Sequence, residues 1–514
     1  MLLIAVSLFF SRFLISFGFI LLVLNWAFEG RFKENFNFIK ENKTGFYIVL
    51  LLLFHIIGLI YTENMRAGIT DVRIKSFLFI IVAYGSGTRL SKKYRDIVFY
   101  IYILSALFAS FISSLNFYVL NESAGIEDLA GMPLVGGNLF QAIMIVFAIS
   151  LLCYFLFFSE EKKYRVLYSS VIVWFVFYLF LLNSLTGYVS LLFLFVYSFI
   201  YSFFRMENSG AKLKVLIGFL FVVVIVGVYV GVVIKDFYRV DDVNFSKLPK
   251  TTVNGNKYLH DTISRQRENG YLININICEK ELRKEWNARS NFNYDGLDEK
   301  KQNVSQTLMR YLSSKKLTKD SVGVWALQDT DIKLIEIGYA NYLYTDKFSL
   351  KARLYIILWQ LDKYFNQGFA DRQTISQRLV YLKVASCIIT DNFWLGVGPG
   401  DALKKSEEYM KNINTGLSTG YTNRVHNQFV SEFVGMGVFG FIGFVFIIFL
   451  PYLRNKLWND YLFTSFYLIV FLGFFSDNLL ETQLGITFFA FFYSLLFFEK
   501  GKRIIEINKY IENV

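Results

Sequence analysis

Long uncharged apolar runs dominate the hydrophobic pattern of this chain, and short polar connectors separate them. The run at 215–234, VLIGFLFVVVIVGVYVGVVI, is long enough to cross a bilayer as a helix. About eleven such spans are predicted, with a range of ten to twelve: 2–28, 45–61, 74–90, 96–118, 137–158, 166–183, 187–204, 215–234, 428–450, 460–476 and 482–499. The pattern therefore predicts an all-α polytopic membrane protein.

The composition supports a membrane protein and removes one alternative. The chain is 54% hydrophobic and 18% charged over 514 residues, so a soluble fold could not bury its apolar side chains. A formal net charge of +12 would suit nucleic-acid binding. In membrane proteins, however, lysine and arginine collect in cytoplasmic loops because they resist translocation. The net positive charge is therefore attributed to cytoplasmic loops that set the orientation of the chain in the membrane, and no nucleic-acid partner is expected.

The connectors alternate between basic and neutral or acidic composition, which predicts their sides of the membrane. Cytoplasmic positions are expected for the basic connectors at 31–43, 91–95, 160–165, 205–214, 452–456 and 500–503. External positions are expected for 61–65, 121–131 and 476–483. This arrangement puts the N-terminus outside and the C-terminus inside. The first apolar run has no basic region before it and is interpreted as a retained helix.

Three regions follow from that orientation. Residues 1–234 are predicted to form an N-terminal bundle of about eight spans, 235–427 a large external domain, and 428–514 a C-terminal bundle of about three spans with a cytoplasmic tail. Alternating Ile and Asn at 271–278 predict a half-buried strand. The rest of the external domain is predicted to be mostly helical, with amphipathic helices at 281–290, 305–314, 330–344 and 349–365.

Histidines and cysteines are few, three of each. His55 lies in an apolar span and is interpreted as a packing residue, and His260 as a surface residue. His426 stands where the external domain re-enters the membrane, and histidine is the commonest general base near neutral pH. No cysteine spacing predicts a metal site, and the sequence leaves open a disulfide between Cys278 and Cys387.

Two further signals precede His426. Arg378 lies on a predicted helix at the membrane interface, where an arginine suits a phosphate or a lipid headgroup. The turn GVGPGD follows, in which Gly396, Gly398 and Gly400 alternate and are predicted to point N–H groups at an anion. Asp401 is expected to cap the next helix. After His426, glycines recur on one helix and favour close helix packing: Gly435, Gly437, Gly440 and Gly443.

The order of these signals resembles the O-antigen ligase family and its relatives, the O-antigen polymerases and protein O-oligosaccharyltransferases. Arg378, seventeen residues, GVGPG, twenty-five residues, then His426 with Asn427 reproduces the family's arrangement. The family's closing G-x-x-G, nine residues after Asn427, is met by Gly437 and Gly440. The layout of ten to twelve spans with one large external loop is also similar. The external insert resembles a variant found in Bacteroidetes members.

The resemblance implies a glycosyltransferase of the bacterial inner membrane whose active site faces the periplasm. Its donor would be a glycan on undecaprenyl pyrophosphate, and its acceptor a sugar hydroxyl of lipid A–core in lipopolysaccharide biosynthesis. His426 would take the acceptor proton, and Arg378 would bind the leaving pyrophosphate. Asn427, Arg424 and the three turn glycines would contact substrate. The family is thought to invert the anomeric centre without a metal or another cofactor.

One position departs from the family. Leu185 stands where relatives carry an arginine thought to hold the diphosphate, in the stretch LLNSLTGYVS. Either Arg424 substitutes, or Arg265 or Arg267 does so, or the site works with one cation fewer. The alternatives to a ligase are a polymerase or a protein O-oligosaccharyltransferase of the same superfamily. A lipid-linked glycan transporter would carry charges at mid-bilayer and broken helices in paired halves. It is disfavoured because this chain has only four prolines and its apolar spans are mostly free of charge.

Overall fold

The computed structural model describes residues 1–87, 90–119, 132–158, 162–346, 349–368, 370, 373–412, 417 and 425–512. The chain forms two compact units, one of Met1–Lys212 with Lys363–Val514 and one of Leu213–Asp362, here called unit 1 and unit 2. The predicted boundaries at 235 and 427 were drawn from the sides of a membrane, and those sides remain a prediction.

Unit 1 begins with a series of apolar helices joined by short turns. In order they are α1 Leu2–Phe10, α2 Arg12–Phe28, α3 Phe32–Glu41, α4 Lys43–Phe46, α5 Leu50–Gly58, α6 Met65–Lys75, α7 Phe79–Ser86, α8 Lys92–Val119, α9 Asn138–Phe158, α10 Arg165–Leu182 and α11 Leu185–Arg205. Single 3₁₀ turns join some of them: Tyr47–Val49, Leu59–Tyr61, Ser76–Leu78 and Lys162–Tyr164. Helix α9 is central, since it packs against α8, α10 and α11.

Unit 2 contains one long apolar helix followed by a small, mostly helical domain. Its helices are most of α12 Ser209–Tyr238, then α13 Glu279–Arg289, α14 Val304–Ser314, α15 Ser321–Trp325, α16 Asp329–Glu336 and most of α17 Leu350–Gln367, with 3₁₀ turns at Phe245–Lys247 and Tyr342–Thr345. The first residues of α12 and the last of α17 belong to unit 1. Strands Arg267–Glu268 and Tyr271–Leu272 pair as an antiparallel hairpin, with Arg267 opposite Leu272. The predicted helices at 281–290, 305–314 and 349–365 are confirmed.

Two local predictions for unit 2 are wrong. The strand expected over 271–278 ends at Leu272, because the chain turns at Ile273 and Asn274. Asn276 then takes a left-handed φ of 54°, which an extended strand does not allow. The helix expected over 330–344 ends at Glu336, and Gly338 then adopts a φ of 98° that stops helical hydrogen bonding.

The chain returns to unit 1 with the helices that carry the predicted site. They are α18 Thr374–Asp391, α19 Ala402–Asn412, α20 Gln428–Arg454, α21 Tyr461–Ser476 and α22 Gln483–Glu512, with 3₁₀ turns at Leu457–Asn459 and Leu479–Glu481. Helix α18 packs against both α19 and α20, while α20 also packs against α5 and α21. The apolar face of α18 packs against the segment around residue 426 in a small apolar core: Val380, Val384, Ala385, Ile388, Val425 and Val434.

The all-α polytopic class is confirmed. Within the described residues seven helices are long and apolar enough to cross a membrane: Lys43–Tyr61, Lys92–Phe117, Asn138–Phe157, Arg165–Leu182, Leu185–Arg205, Ser209–Tyr238 and Gln428–Arg454. Helices α2 and α3 form an eighth candidate, bent by 106°, and α21 and Gln483–Phe498 are shorter apolar helices. In the described part of the span predicted at 74–90, the end of polar α6 is followed by one 3₁₀ turn and the eight-residue α7.

Candidate active site

His426 and Asp477 form a hydrogen-bonded pair next to the first turn of α20, the end of this helix that is predicted to be external. The Nδ1 atom of His426 lies 3.0 Å from Oδ1 of Asp477, the residue that follows α21. A carboxylate only accepts hydrogen bonds, so Nδ1 carries the proton and Nε2 remains an acceptor. His426 also has a left-handed φ of 52°, a conformation uncommon outside glycine. An imidazole held in this way is suited to accept a proton from a substrate.

The surroundings of Asp477 keep its carboxylate ionised. Burial raises the pKa of this carboxyl, but His426, the Asn478 N–H and the charge of Arg378 together outweigh burial and lower it below its usual range. The Asn478 N–H donates to Oδ1 at 2.8 Å. Because the folded-state pKa is lowered, the negative charge persists through neutral pH and is lost only as the pH falls through that lowered value.

Arg378, on α18, lies near enough to Asp477 for their charges to interact. Its guanidinium is half-buried, and among the described residues no hydrogen bond or ion pair is found for it. Burial lowers its pKa, while the negative charge of Asp477 opposes that effect. An arginine nevertheless stays charged, since a guanidinium is protonated throughout the physiological pH range. One turn further along α18, the Tyr381 ring lies 6.0 Å from the His426 ring, centre to centre.

The glycine turn packs against the backbone of α20. The N–H groups of Val397 and Gly398 donate at 2.9 Å to the carbonyls of Val434 and Gly435. These N–H groups are therefore occupied, and the predicted anion-binding role of the turn gains no support from its contacts. The turn instead joins the end of α18 to the first turns of α20.

Gly437 and Gly396 meet where α20 is bent. Gly437 has non-helical angles, φ 64° and ψ −168°, within α20. A Cβ added there would lie 2.2 Å from the Trp394 carbonyl oxygen and 2.6 Å from the Gly396 nitrogen. A Cβ on Gly396, whose φ is 70°, would lie 2.5 Å from the Gly437 nitrogen. The segments around Gly396 and Gly437 therefore approach backbone to backbone, and only glycine fits at either position.

We expect Gly437→Ala to prevent accumulation of folded protein, because it adds a backbone clash to a positive-φ strain of about 1–3 kcal/mol. The measurement is the yield of monodisperse protein in detergent and its melting temperature. Gly435→Ala is the matched control, since a Cβ there meets its nearest atoms only at 4.0 Å. Equal yields of the two variants would contradict this account of the bend.

Comparison with known families supports the same segment. A profile of the family described as O-antigen ligase matches residues 335–445. That range includes Arg378, the glycine turn, His426 and Gly437. The segment belongs to the O-antigen ligase family. Membership implies a glycosyltransferase type of enzyme in general. A search of curated proteins found no match.

The structure gives local roles to other predicted residues of the O-antigen ligase segment. Asn427 caps α20, with its Oδ1 accepting the Val430 N–H at 3.1 Å. Asp401 was expected to cap α19, but its carboxylate instead accepts the N–H groups of Glu63 and Asn64, at 2.7 and 2.9 Å. These bonds fix the glycine turn to the loop between α5 and α6.

The proposed replacements for the arginine missing at Leu185 have different outcomes. Leu185 is the first residue of α11 and is exposed. Arg424 lies outside the described residues. In unit 2, Arg267 donates to the Phe237 carbonyl at 3.0 Å, and Arg265 stacks over the Phe245 ring at 5.2 Å. Both have partners within unit 2, so the contacts favour neither as a diphosphate ligand.

Two features of the candidate site were missed from the sequence. Asp477 lies in a connector predicted to be external, as His426 was, so a shared side was the available signal for their pairing. The second feature is a group of charged side chains behind the pair, here called the buried cluster: His55, Asp71, Lys75, Glu432 and Glu481. They line a cavity of about 90 Å³ next to Pro399 and Gly400.

His55 is bonded within this cluster. Its Nδ1 lies 2.8 Å from the Leu51 carbonyl oxygen, and its Nε2 lies 3.6 Å from Asp71 and 3.5 Å from Glu432. This agrees with the packing interpretation of His55. All three cysteines are free thiols in the structure.

Proposed function

We propose that the protein is an O-antigen ligase of the bacterial inner membrane. It transfers a glycan from undecaprenyl pyrophosphate to a sugar hydroxyl of lipid A–core on the periplasmic face. The observation that carries the proposal is the His426–Asp477 pair with Arg378 beside it. His426 and Arg378 lie inside the matched segment, and Asp477 follows it in the chain. Such a site has a base for a hydroxyl and a cation for a phosphate leaving group.

The reaction is a single displacement at the anomeric carbon. The acceptor hydroxyl oxygen bonds to that carbon while its proton passes to Nε2 of His426. The bond from the anomeric carbon to the pyrophosphate oxygen breaks, and its electron pair leaves with the pyrophosphate. Attack opposite the leaving group inverts the anomeric centre. Asp477 stabilises the imidazolium that forms, because its carboxylate lies against the Nδ1–H.

Arg378 is assigned to the leaving group because its guanidinium makes no hydrogen bond or ion pair with another described residue. A half-buried guanidinium without a hydrogen-bond partner there carries a desolvation cost that a bound anion would offset. Its planar fork matches two phosphate oxygens at once. Negative charge develops on the pyrophosphate as the bond breaks, so the guanidinium stabilises the transition state more than the ground state.

We expect Arg378→Ala to lower glycan transfer more than Arg378→Lys does, since lysine keeps the charge but loses the fork. The measurement is the initial rate with purified protein and extracted donor and acceptor. Lys383→Ala is the control, because Lys383 is an exposed cation on the same helix. Wild-type rates in both Arg378 variants would remove this residue from the site.

The surface polysaccharide of a deletion strain tests the function as a whole. A gel that separates lipid A–core from capped forms should show that capped molecules vanish while long undecaprenyl-linked glycan accumulates. Core carrying one repeat unit and no ladder would instead indicate a polymerase. Unchanged lipopolysaccharide would overturn both, and glycoproteins would then be compared to test protein glycosylation.

A further inference from the structure

Lys75 is almost fully buried inside unit 1, although it is charged. Only 1% of its surface is exposed, and its Nζ donates to Oδ1 of Asp71 at 2.8 Å. A buried ammonium is costly unless it is paired and hydrogen-bonded. The carboxylates of Glu432 and Glu481 also attract this ammonium. All four side chains line the same small cavity.

The two more distant carboxylates belong to different parts of the active site. Glu432 lies in α20, six residues after His426, and is 4% exposed. Glu481 ends the 3₁₀ turn that follows Asp477, and α6, which carries Lys75, packs against that turn. One ammonium therefore stands between the helix that follows His426 and the loop that carries Asp477.

Neutral hydrogen bonds join the same two parts. The Leu480 N–H donates to Gln428 Oε1 at 2.8 Å, and Ser431 Oγ donates to Glu481. Gln428 also donates to Glu432 at 2.9 Å. These bonds bring Glu432 and Glu481 near one another, where two like charges repel strongly in a low-dielectric interior. A cation that attracts both carboxylates offsets this repulsion, and Lys75 is such a cation. His55, whose Nε2 lies 3.5 Å from Glu432, faces one of them as well.

We propose that Lys75 is a positioning residue that holds the His426 helix and the Asp477 loop together, as the shared counter-ion of Glu432 and Glu481. Its effect on the reaction passes through the His426–Asp477 distance, so this part rests on the proposed function. Without Lys75 the two carboxylates repel and the pair separates. A displacement of about 1 Å can lower a rate about 100-fold.

The test compares four variants in lipid nanodiscs with the wild type. Lys75→Met should lower kcat about 100-fold and leave the donor KM almost unchanged. Adding Glu481→Gln should restore much of kcat, because it removes the repulsion across the joint. Adding Asp71→Asn should restore much less, although it changes the charge by the same amount, since Asp71 lies on the same helix as Lys75. Lys404→Met, at an exposed ion pair with Glu63, should behave as wild type.

Folding is followed by the melting temperature of each variant. We expect the lowest melting temperature for Lys75→Met, a higher one when Asp71→Asn is added to it, and the highest of the three when Glu481→Gln is added instead. If Lys75→Met does not fold, the two double variants carry the comparison. Equal rescue by Asp71→Asn and Glu481→Gln, or a folded Lys75→Met with wild-type kcat, would overturn the proposal. An inactive wild type would overturn the proposed function instead, and the melting order would still test the role of Lys75.

Discussion

His426→Ala will lower glycan transfer by about 10²–10⁴-fold, the usual loss when a general base is removed. The reason is that alanine leaves the acceptor hydroxyl with no group to take its proton as the new bond forms. The pair with Asp477 at 3.0 Å holds the imidazole in the tautomer that can do so. The measurement is single-turnover transfer of a labelled undecaprenyl-linked glycan to lipid A–core by purified protein.

His260→Ala is the control for that experiment. His260 lies in unit 2, where its ring bonds to the Pro249 carbonyl at 2.9 Å and to the Asn276 N–H at 3.0 Å. The His260→Ala protein should transfer glycan at close to the wild-type rate. A His426→Ala protein that folds and still transfers at the wild-type rate would show that another group serves as the base.

Asp477→Asn is expected to lower kcat by about 100-fold or more, with little change in the donor KM. Asparagine can donate its amide hydrogen to Nδ1 of His426, which moves the imidazole proton to Nε2 and removes the acceptor. It also removes the negative charge that stabilises the imidazolium. Steady-state kinetics over a range of donor concentrations separates kcat from KM.

Asp460→Asn is the matched control because Asp460 stands at the other end of α21. Its Oδ1 accepts the Phe463 N–H at 3.0 Å as a helix cap, and asparagine caps equally well. This variant should keep wild-type kinetics. A fall in donor affinity with unchanged kcat in Asp477→Asn would place Asp477 at the substrate and away from the imidazole.

Much of the fold and part of the candidate site could be predicted from the order of residues alone. Apolar runs about 20 residues long have few ways to satisfy their backbone groups in a bilayer, so they predict helices directly. The spacing of Arg378, the glycine turn, His426 and Gly437 similarly indicated one family. Both signals are local or regular, and they are visible without knowing which helices touch.

What only the tertiary structure decided was which groups meet across long stretches of chain. Asp477 pairs with His426 from the far end of another helix, and Lys75 stands between carboxylates more than 350 positions away. Within the glycine turn, the N–H groups of Val397 and Gly398 donate to carbonyls of α20. Such contacts follow from how helices pack, and packing depends on complementary surfaces that no local pattern contains.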